Sequence, residues 1–300
     1  MKALCALCSE ERELQLSHIV PKFVVDHLKR SGPGGMRSYR TPNLRIQDGE
    51  KTRLLCRECE QLLSGWEKKF AENLFVPLHN PEPVTTPIKY QEWALKFAAS
   101  VSWRVLHYYV TSGLSNFPEQ EVELAKRALE VWKDFLMARK QNPAQFQQHL
   151  LPLDVIEEHS ADHVSPFLNR YLLRAIHTDV ITSESRTLVY VKLCRILIFG
   201  FVREDDPAQW KGTKLHVRKG IVEPTDYRIP AELMRYMNDK ADAVKHALNS
   251  LSPKQDEIVS KSIKENLDKI ANSETFRAMS YDLKHSGKAA FKPTKTHENV

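Results

Sequence analysis

The sequence lacks an apolar run long enough to cross a membrane. A membrane-spanning helix needs about 20 mainly apolar residues, whereas the longest uninterrupted apolar run covers only residues 196–202. Residues 1–9 contain one lysine and too short an apolar stretch for a signal peptide. We therefore expect a cytoplasmic protein that does not associate with membranes.

Cysteine is also scarce, with five in 300 residues, and four of them lie in two Cys-x-x-Cys pairs. The pairs are Cys5 with Cys8 and Cys56 with Cys59. In the cytoplasm disulfides are rare, so such pairs indicate metal ligands, and together they supply the four thiolates of a closed, structural zinc site. The alternatives are four reduced core cysteines or redox-active dithiols. Cys194 stands alone in an apolar run, which predicts a buried core thiol.

The sequence has only a small excess of positive charge, but that excess is concentrated. The formal net charge is +6, and residues 22–57 alone contain nine basic and three acidic residues, a difference of +6. The basic residues are Lys22, Lys29, Arg30, Arg37, Arg40, Arg45, Lys51, Arg53 and Arg57. Such sets bind phosphate backbones with little sequence preference. We therefore expect a nucleic-acid partner, DNA before RNA, and the alternative is an ordinary solvated hairpin.

The N-terminal pattern predicts a zinc module made of a hairpin and a helix. Residues 17–31 and 56–76 show helical spacing of apolar residues. Residues 39–46 and 50–55 alternate on either side of Asp48-Gly49, which predicts a β-hairpin. A Cys-x-x-Cys turn, a hairpin and a helix carrying the second pair in its first turn follow one another in a treble-clef zinc module.

The rest of the chain is predicted to be mainly helical with a few strands, which makes the fold class α+β. The proline-rich stretch 77–89 is the predicted linker. It separates a zinc domain at 1–76 from a mainly helical domain at 90–283, and residues 284–300 form a polar, basic tail predicted to be disordered. Within the helical domain, a protein partner or a second copy of the chain could bind.

Helices are expected over about 90–111 and 119–140, from Ser165 onwards, and over about 230–249 and 253–271. Ser252 and Pro253 are a typical N-cap and first helical residue. Residues 187–202 fit either a strand or a buried helix, and residues 215–221 alternate as a strand does.

Between the two cysteine pairs lies a motif with a known counterpart. Ser17-His18-Ile19-Val20-Pro21 resembles the Asp-His-Ile-x-Pro signature of the HNH endonucleases, the His-Me finger or ββα-metal group. Many members bracket this site with two Cys-x-x-Cys pairs, the second followed by histidine, and Cys56-Arg57-Glu58-Cys59-Glu60 is similar. The resemblance covers residues 5–75. It implies a metal-dependent endonuclease that hydrolyses phosphodiester bonds in DNA or RNA.

The resemblance also implies roles for individual residues. The histidine is the general base, and a divalent cation, Mg²⁺ or Mn²⁺, stabilises the leaving oxygen. His18 matches the base. Ser17 stands in place of the usual carboxylate ligand, and Glu60 in place of the final histidine. The family's central asparagine has no clear match, since Lys51 occupies the position five residues before Cys56.

Three further residues are candidate ligands for that cation. Gln47 and Asp48 lie near the expected position of the asparagine and could supply an oxygen. Glu67 follows Glu60 by seven residues and so shares its helix face. In the alternative interpretation His18 caps a helix or hydrogen bonds within the zinc module. The two glutamates are then a solvated helix face, and Asp48 only shapes a turn.

The sequence therefore supports three functions. The first is a metal-dependent endonuclease. The second is a non-catalytic zinc module that binds nucleic acid and carries a decayed HNH site. The third is a protein-interaction adaptor whose helical region binds the partner.

Overall fold

The computed structural model describes most of the chain. The described residues are 2–32, 35–80, 84, 86–113, 118–159, 163–223, 226–271 and 273–291. Their strands are β1 (Lys2–Leu4), β2 (Glu11–His18), β3 (Met36–Arg37), β4 (Arg45–Ile46), β5 (Lys51–Cys56), β6 (Ile88–Gln91), β7 (Gln148–Pro152), β8 (Ile176–Thr182), β9 (Arg186–Leu193), β10 (Ile196–Glu204) and β11 (Lys219–Val222).

The helices of the same residues lie between these strands and after the last of them. They are α1 (Lys22–Arg30), α2 (Arg57–Phe70), α3 (Val76–Leu78), α4 (Glu92–Thr111), α5 (Glu119–Leu136), α6 (Leu168–Arg174), α7 (Ala231–Asn249), α8 (Pro253–Glu265), α9 (Leu267–Ala271) and α10 (Glu274–Ser286). A π-helical turn, Ala71–Phe75, joins α2 to α3, and Pro207–Gln209 and Gly287–Ala290 are 3₁₀ turns. The predicted α+β class is confirmed. Among the described residues, no helix combines the length and the apolar character needed to span a membrane.

The chain forms two compact units, and each is built from three separate segments. The first unit contains Met1–Val25, Gly49–Leu153 and Ile176–Ile229. The second contains Asp26–Asp48, Asp154–Ala175 and Pro230–Val300. The proline-rich stretch 77–89 lies within one segment of the first unit, so these units do not follow the division that the sequence predicted there.

A small antiparallel sheet in the first unit has the strand order β1-β2-β5. The central strand, β2, pairs with β5 so that Leu14 lies opposite Cys56, Ser17 opposite Thr52 and His18 opposite Lys51. The chain then passes directly from β5 into α2, which packs against both strands. The register places Leu14, in the middle of β2, beside the junction of β5 and α2, and His18 beside the start of β5.

The hairpin predicted between residues 39–46 and 50–55 is wrong. The second of these stretches is β5, and its partner is β2 rather than the residues before Asp48-Gly49. Arg45–Ile46 pairs with Met36–Arg37 instead. The Asp-Gly pair favours a local turn, but the partner of β5 is decided by burial. Leu54 and Leu55 are 3% and 0% exposed in β5.

A second antiparallel sheet of the first unit has the order β7-β10-β9-β8. Every residue of β9 is buried, as are the first seven of β10. The strand interpretation of residues 187–202 is confirmed, but the run contains two strands joined by a turn at Cys194 and Arg195. Cys194 is fully buried, as predicted. From residues 215–221 only Lys219–Ile221 is strand, within β11, which pairs with β6.

The long helix α4 connects the small sheet's helix to the larger sheet. It packs against α2, α5 and strands of the four-stranded sheet. The Phe97 ring stacks on Phe70 of α2 at 3.7 Å between centroids, and Phe23 joins the same cluster at 6.2 Å from Phe97. This aromatic cluster holds α4 against α2, the helix that carries Glu60.

The second unit is largely helical. The Asp282 carboxylate on α10 accepts hydrogen bonds from the backbone N–H groups of Asn169 (2.8 Å) and Arg170 (3.3 Å), at the start of α6. The predicted N-cap of α8 is confirmed, since the Ser252 hydroxyl accepts from Gln255 N. The helix predicted over 253–271 is interrupted at Asn266.

The predicted disordered tail begins too early. Lys284–Ser286 completes α10, and the following 3₁₀ turn continues to Ala290. The Ala290 carbonyl accepts a hydrogen bond from the Arg170 guanidinium, and Ala290 is buried. These contacts order residues that are polar and basic in sequence. The remainder of the predicted tail, 292–300, lies outside the described residues.

Candidate metal centre and the adjoining histidine site

The first cysteine pair lies in the turn between β1 and β2. Cys5 N donates to Glu10 O (2.9 Å), and Ser9 N donates to Cys5 O (2.8 Å). Ser9 has φ +64°, so the turn uses the left-handed region at a non-glycine residue. The N–H of Ala6 donates to the Leu54 carbonyl of β5 (3.1 Å). The turn is therefore held against the strand that delivers the second pair.

The second pair lies at the junction of β5 and α2, where Cys56 ends the strand and Cys59 lies in the first helical turn. The sulfur atoms of Cys5, Cys8, Cys56 and Cys59 all lie within 4.8 Å of one another, and those of Cys8 and Cys56 are 3.9 Å apart. Tetrahedral zinc with Zn–S of about 2.3 Å needs sulfurs about 3.8 Å apart. The four-cysteine cluster predicted from the sequence is thus present and could bind a structural zinc ion.

Burial and hydrogen bonding shift the pKa of individual thiols of the cluster in opposite directions. Burial raises the pKa of Cys56 to about 11 and also raises that of Cys59. Burial opposes ionisation of Cys5 too, but hydrogen bonds from the backbone of Cys8, Cys56 and Leu7 lower its pKa overall. Four thiolates this close together repel one another. A divalent cation would offset that repulsion, because its positive charge favours the deprotonated form of each coordinating thiol.

His18 and Ser17 occupy the last two positions of β2. Ser17 is 2% exposed, while His18 is half-buried. A Cβ built on Gly49 would lie 3.7 Å from His18 Cδ2, so the entry to β5 passes close to the imidazole ring. The strand end therefore presents a partly accessible imidazole next to a fully buried hydroxyl.

Two buried oxygens, one on β2 and one on α2, have no hydrogen-bond partner among the described residues. Within the part of the chain that the structure describes, neither Ser17 Oγ nor Glu60 Oε1 is hydrogen bonded. Glu60 lies in the first turns of α2, the helix that packs against β2. Burying an unpaired hydroxyl or carboxylate oxygen costs free energy. Oxygen donors of this kind are the ligands that Mg²⁺ and Mn²⁺ prefer.

Glu67 is not a solvated residue and has a cationic partner. Its Oε1 accepts a hydrogen bond from Arg104 Nη2 at 2.7 Å, and its side chain is 21% exposed. Arg104 lies on α4 and was not identified from the sequence. The available signal was a single arginine within a mainly apolar stretch of helix, residues 93–106.

Gln47 and Asp48 belong to the second unit, whereas His18, Ser17 and Glu60 belong to the first. Their predicted role as cation ligands stays a prediction.

The nine basic residues are divided between the units. Lys22, Lys51, Arg53 and Arg57 belong to the first unit, and Lys29, Arg30, Arg37, Arg40 and Arg45 to the second. Several of them also have partners in the protein. Arg53 donates to Leu14 O across the small sheet (3.0 Å), and Arg37 donates to Gln255 Oε1 (2.9 Å). A phosphate-binding role for the set stays a prediction.

Comparisons with models of protein families, with curated proteins and with solved structures found no match for this chain. The HNH resemblance therefore depends on the motif residues and on the local geometry.

Proposed function

We propose that this protein is a zinc-stabilised nuclease that uses a divalent cation and His18 as general base. The observation that supports this most is the pair of buried oxygens, Ser17 Oγ and Glu60 Oε1, that lack partners in the described structure. They stand at the two positions where the HNH motif has its metal ligands. The order β2, β5, α2, with His18 at the end of the first strand, fits a ββα-metal site.

The four cysteines support the proposal through position. The first pair lies where β1 turns into β2, and the second where β5 becomes α2. A zinc ion shared by the pairs would hold the strand of His18 against the helix of Glu60. We propose that the Cys-x-x-Cys turn, the antiparallel strands and the helix together form a treble clef.

His18 would act on the water that attacks the phosphodiester. Imidazole accepts a proton near neutral pH, and His18 is exposed enough for a substrate water to reach it. Lys51 lies directly opposite His18 in the β2–β5 register, and a basic residue there favours a phosphodiester substrate. Lys22, Arg53 and Arg57 add to the positive charge of the same unit.

Ser17 and Glu60 would hold the cation. When bound, Mg²⁺ or Mn²⁺ supplies charge stabilisation for the phosphate and the leaving oxygen. Ser17 offers a neutral hydroxyl and Glu60 a carboxylate, and water ligands commonly complete such a shell. The protein's own contribution is to keep both oxygens buried.

One observation favours a second candidate, a zinc-dependent nucleic-acid-binding protein without catalysis. Glu67 is neutralised by Arg104, which leaves Glu60 as the single carboxylate offered by α2 at this site. A serine and one glutamate bind a cation more weakly than a carboxylate and an imidazole. A protein of this second kind would bind nucleic acid in a salt-sensitive way and would not cleave it.

A cleavage assay tests the proposal. Plasmid DNA and a structured RNA are incubated with wild type, His18→Ala and Glu60→Gln, with Mg²⁺, Mn²⁺ or neither. We expect cation-dependent nicking by wild type and a loss of about 10²–10⁴-fold in rate for His18→Ala, the contribution typical of a general base.

The matched control is His163→Ala, since His163 is a surface histidine of the second unit paired with Asp242. It should cleave as wild type does. Equal nicking by wild type and His18→Ala would refute the role of His18, and binding without cleavage would favour the second candidate.

A further inference from the structure

One buried arginine joins the two elements that carry the proposed site. Arg104 lies on α4 with its side chain 3% exposed. Its Nη1 donates to the backbone carbonyl of His18 at 3.0 Å, and its Nη2 donates to Glu67 Oε1 at 2.7 Å. A third bond, from Nε to Ser100 O at 3.4 Å, fixes the guanidinium to its own helix.

The two acceptors of this guanidinium belong to different parts of the site. His18 is the last residue of β2, and Glu67 lies on α2 two turns after Glu60, on the same helix face. Through the planar fork of one side chain, the end of β2 and the helix α2 are held at a set separation. That separation also sets where the His18 imidazole lies relative to the Glu60 carboxylate.

From this geometry we infer that Arg104 is a positioning residue for the proposed nuclease site. It acts through the backbone of His18 and through α2, and it contacts no reacting atom in this role. The inference depends on the proposed function. It also makes α4 part of the site's support, rather than an element of a separate downstream domain.

The chemistry of the guanidinium explains why lysine is not an equivalent residue here. Arginine presents five N–H donors in a rigid plane, whereas lysine presents a single ammonium on a flexible stem. Lysine at position 104 keeps the charge that neutralises Glu67. It cannot also hold the His18 carbonyl in a fixed fork, so the strand end gains freedom while the buried charge stays balanced.

The experiment compares Arg104→Lys and Glu67→Gln with a matched control, Arg186→Lys. Arg186 is an equally buried arginine of the first unit that pairs with Glu204 through two hydrogen bonds of 2.9 and 3.2 Å on the four-stranded sheet. Steady-state cleavage of a short DNA duplex with Mn²⁺ is measured below the melting temperature of every variant. Mn²⁺ binding is followed separately by electron paramagnetic resonance.

For Arg104→Lys we expect kcat to fall by about 10²-fold, the loss typical of a misplacement of about 1 Å, with KM for DNA unchanged. Mn²⁺ should bind more weakly as well. Glu67→Gln keeps an acceptor for Arg104 but loses the charge, so its kcat should fall less. Arg186→Lys should lower the melting temperature while kcat stays at the wild-type value.

The outcomes separate the inference from the function it depends on. If wild type does not cleave, the proposed function fails, and the inference fails with it. If wild type cleaves and Arg104→Lys has the kcat of Arg186→Lys, only the inference is overturned. If Arg104→Lys does not fold, Glu67→Gln tests the inference instead. A wild-type kcat and a wild-type Mn²⁺ affinity in Glu67→Gln would overturn the inference.

Discussion

At the scale of single residues, Ser17 and Glu60 would set the strength of the cation site that we propose for this unit. Both present buried oxygens without partners in the described structure. The two differ in charge, because a hydroxyl is neutral and a carboxylate is not. The substitution of serine at the motif's usual carboxylate position therefore predicts a weak site that can be strengthened by one change.

Ser17→Asp should bind Mn²⁺ more tightly than wild type. Without metal, the added buried carboxylate should destabilise the protein by about 1–3 kcal/mol. With Mn²⁺ at 100 times its Kd, binding should return about 2.7 kcal/mol, so the melting temperature should rise on addition of the ion. Thermal unfolding with and without Mn²⁺ checks this.

The control for that change is Ser17→Asn, which has nearly the same shape and no charge. If Mn²⁺ raises the melting temperature of both variants equally, the ion is not bound at position 17.

At the scale of elements, β2, β5 and α2 form one block with the cysteine cluster at its end. Cys5 and Cys8 lie in the turn before β2, while Cys56 and Cys59 lie where β5 meets α2. The cluster joins two distant segments of the chain, since Cys8 and Cys56 are 48 positions apart in sequence. A metal ion there would contribute to the folding of the whole block.

We expect the purified protein to carry about one zinc ion, and Cys59→Ser to lose it. Apparent free energies for structural zinc are about 10–16 kcal/mol, so the loss should unfold the block of β1, β2, β5 and α2. Elemental analysis gives the zinc content, and hydrogen exchange of residues 2–32 and 51–70 reports the unfolding.

Cys194→Ser provides the comparison, since Cys194 lies in the turn between β9 and β10 and not in the cluster. It should keep its zinc. Zinc-free protein in which the same residues remain protected would contradict the structural role.

At the scale of the whole molecule, the two units should respond to acid in opposite directions. In the first unit, burial lowers the pKa of His149 to about 3. In the second, burial raises the pKa of Asp282 to about 6, although hydrogen bonds from Asn169 and Arg170 favour its ionised form. Each group therefore binds protons differently in the folded and unfolded states.

The direction in which stability changes with pH follows from the difference in proton binding between the folded and unfolded states. Unfolded His149 gains a proton below about pH 6.5 while the folded residue stays neutral, so the first unit loses about 1.4 kcal/mol per pH unit between about pH 6 and 3. Folded Asp282 holds its proton up to about pH 6, above the value for the unfolded chain. Its contribution to stability is therefore present below about pH 4 and is lost as the pH rises to about 6.

All five tryptophans lie in segments of the first unit, so their fluorescence reports on that unit. We expect the denaturant concentration at the midpoint of unfolding, measured by fluorescence, to fall as the pH is lowered from 6.5 to 4. His149→Gln, which cannot titrate, should flatten this fall. A fluorescence midpoint as steep in His149→Gln as in wild type would assign the pH dependence to other groups.

The elements of this protein were predictable where one local pattern was sufficient. Helices such as α4 and α7 follow from apolar spacing, and the N-cap of α8 from Ser252. Strands were harder to predict. The sequence did not indicate β7 and β8, and it assigned β5 the wrong partner, because pairing joins residues far apart and a turn motif such as Asp48-Gly49 carries only local information.

The sequence by itself determined which four cysteines form a cluster that could bind a metal, the α+β class, and the small set of residues around His18 worth testing. The cysteines were readable because zinc ligation requires a fixed spacing of thiolates. Only the tertiary structure decided that β2 pairs with β5 and that Arg104 pairs with Glu67. It also decided that Ser17 and Glu60 bury oxygens without a partner among the residues that the structure describes. The physical reason is that burial and charge pairing arise between elements distant in sequence, and no local pattern encodes them.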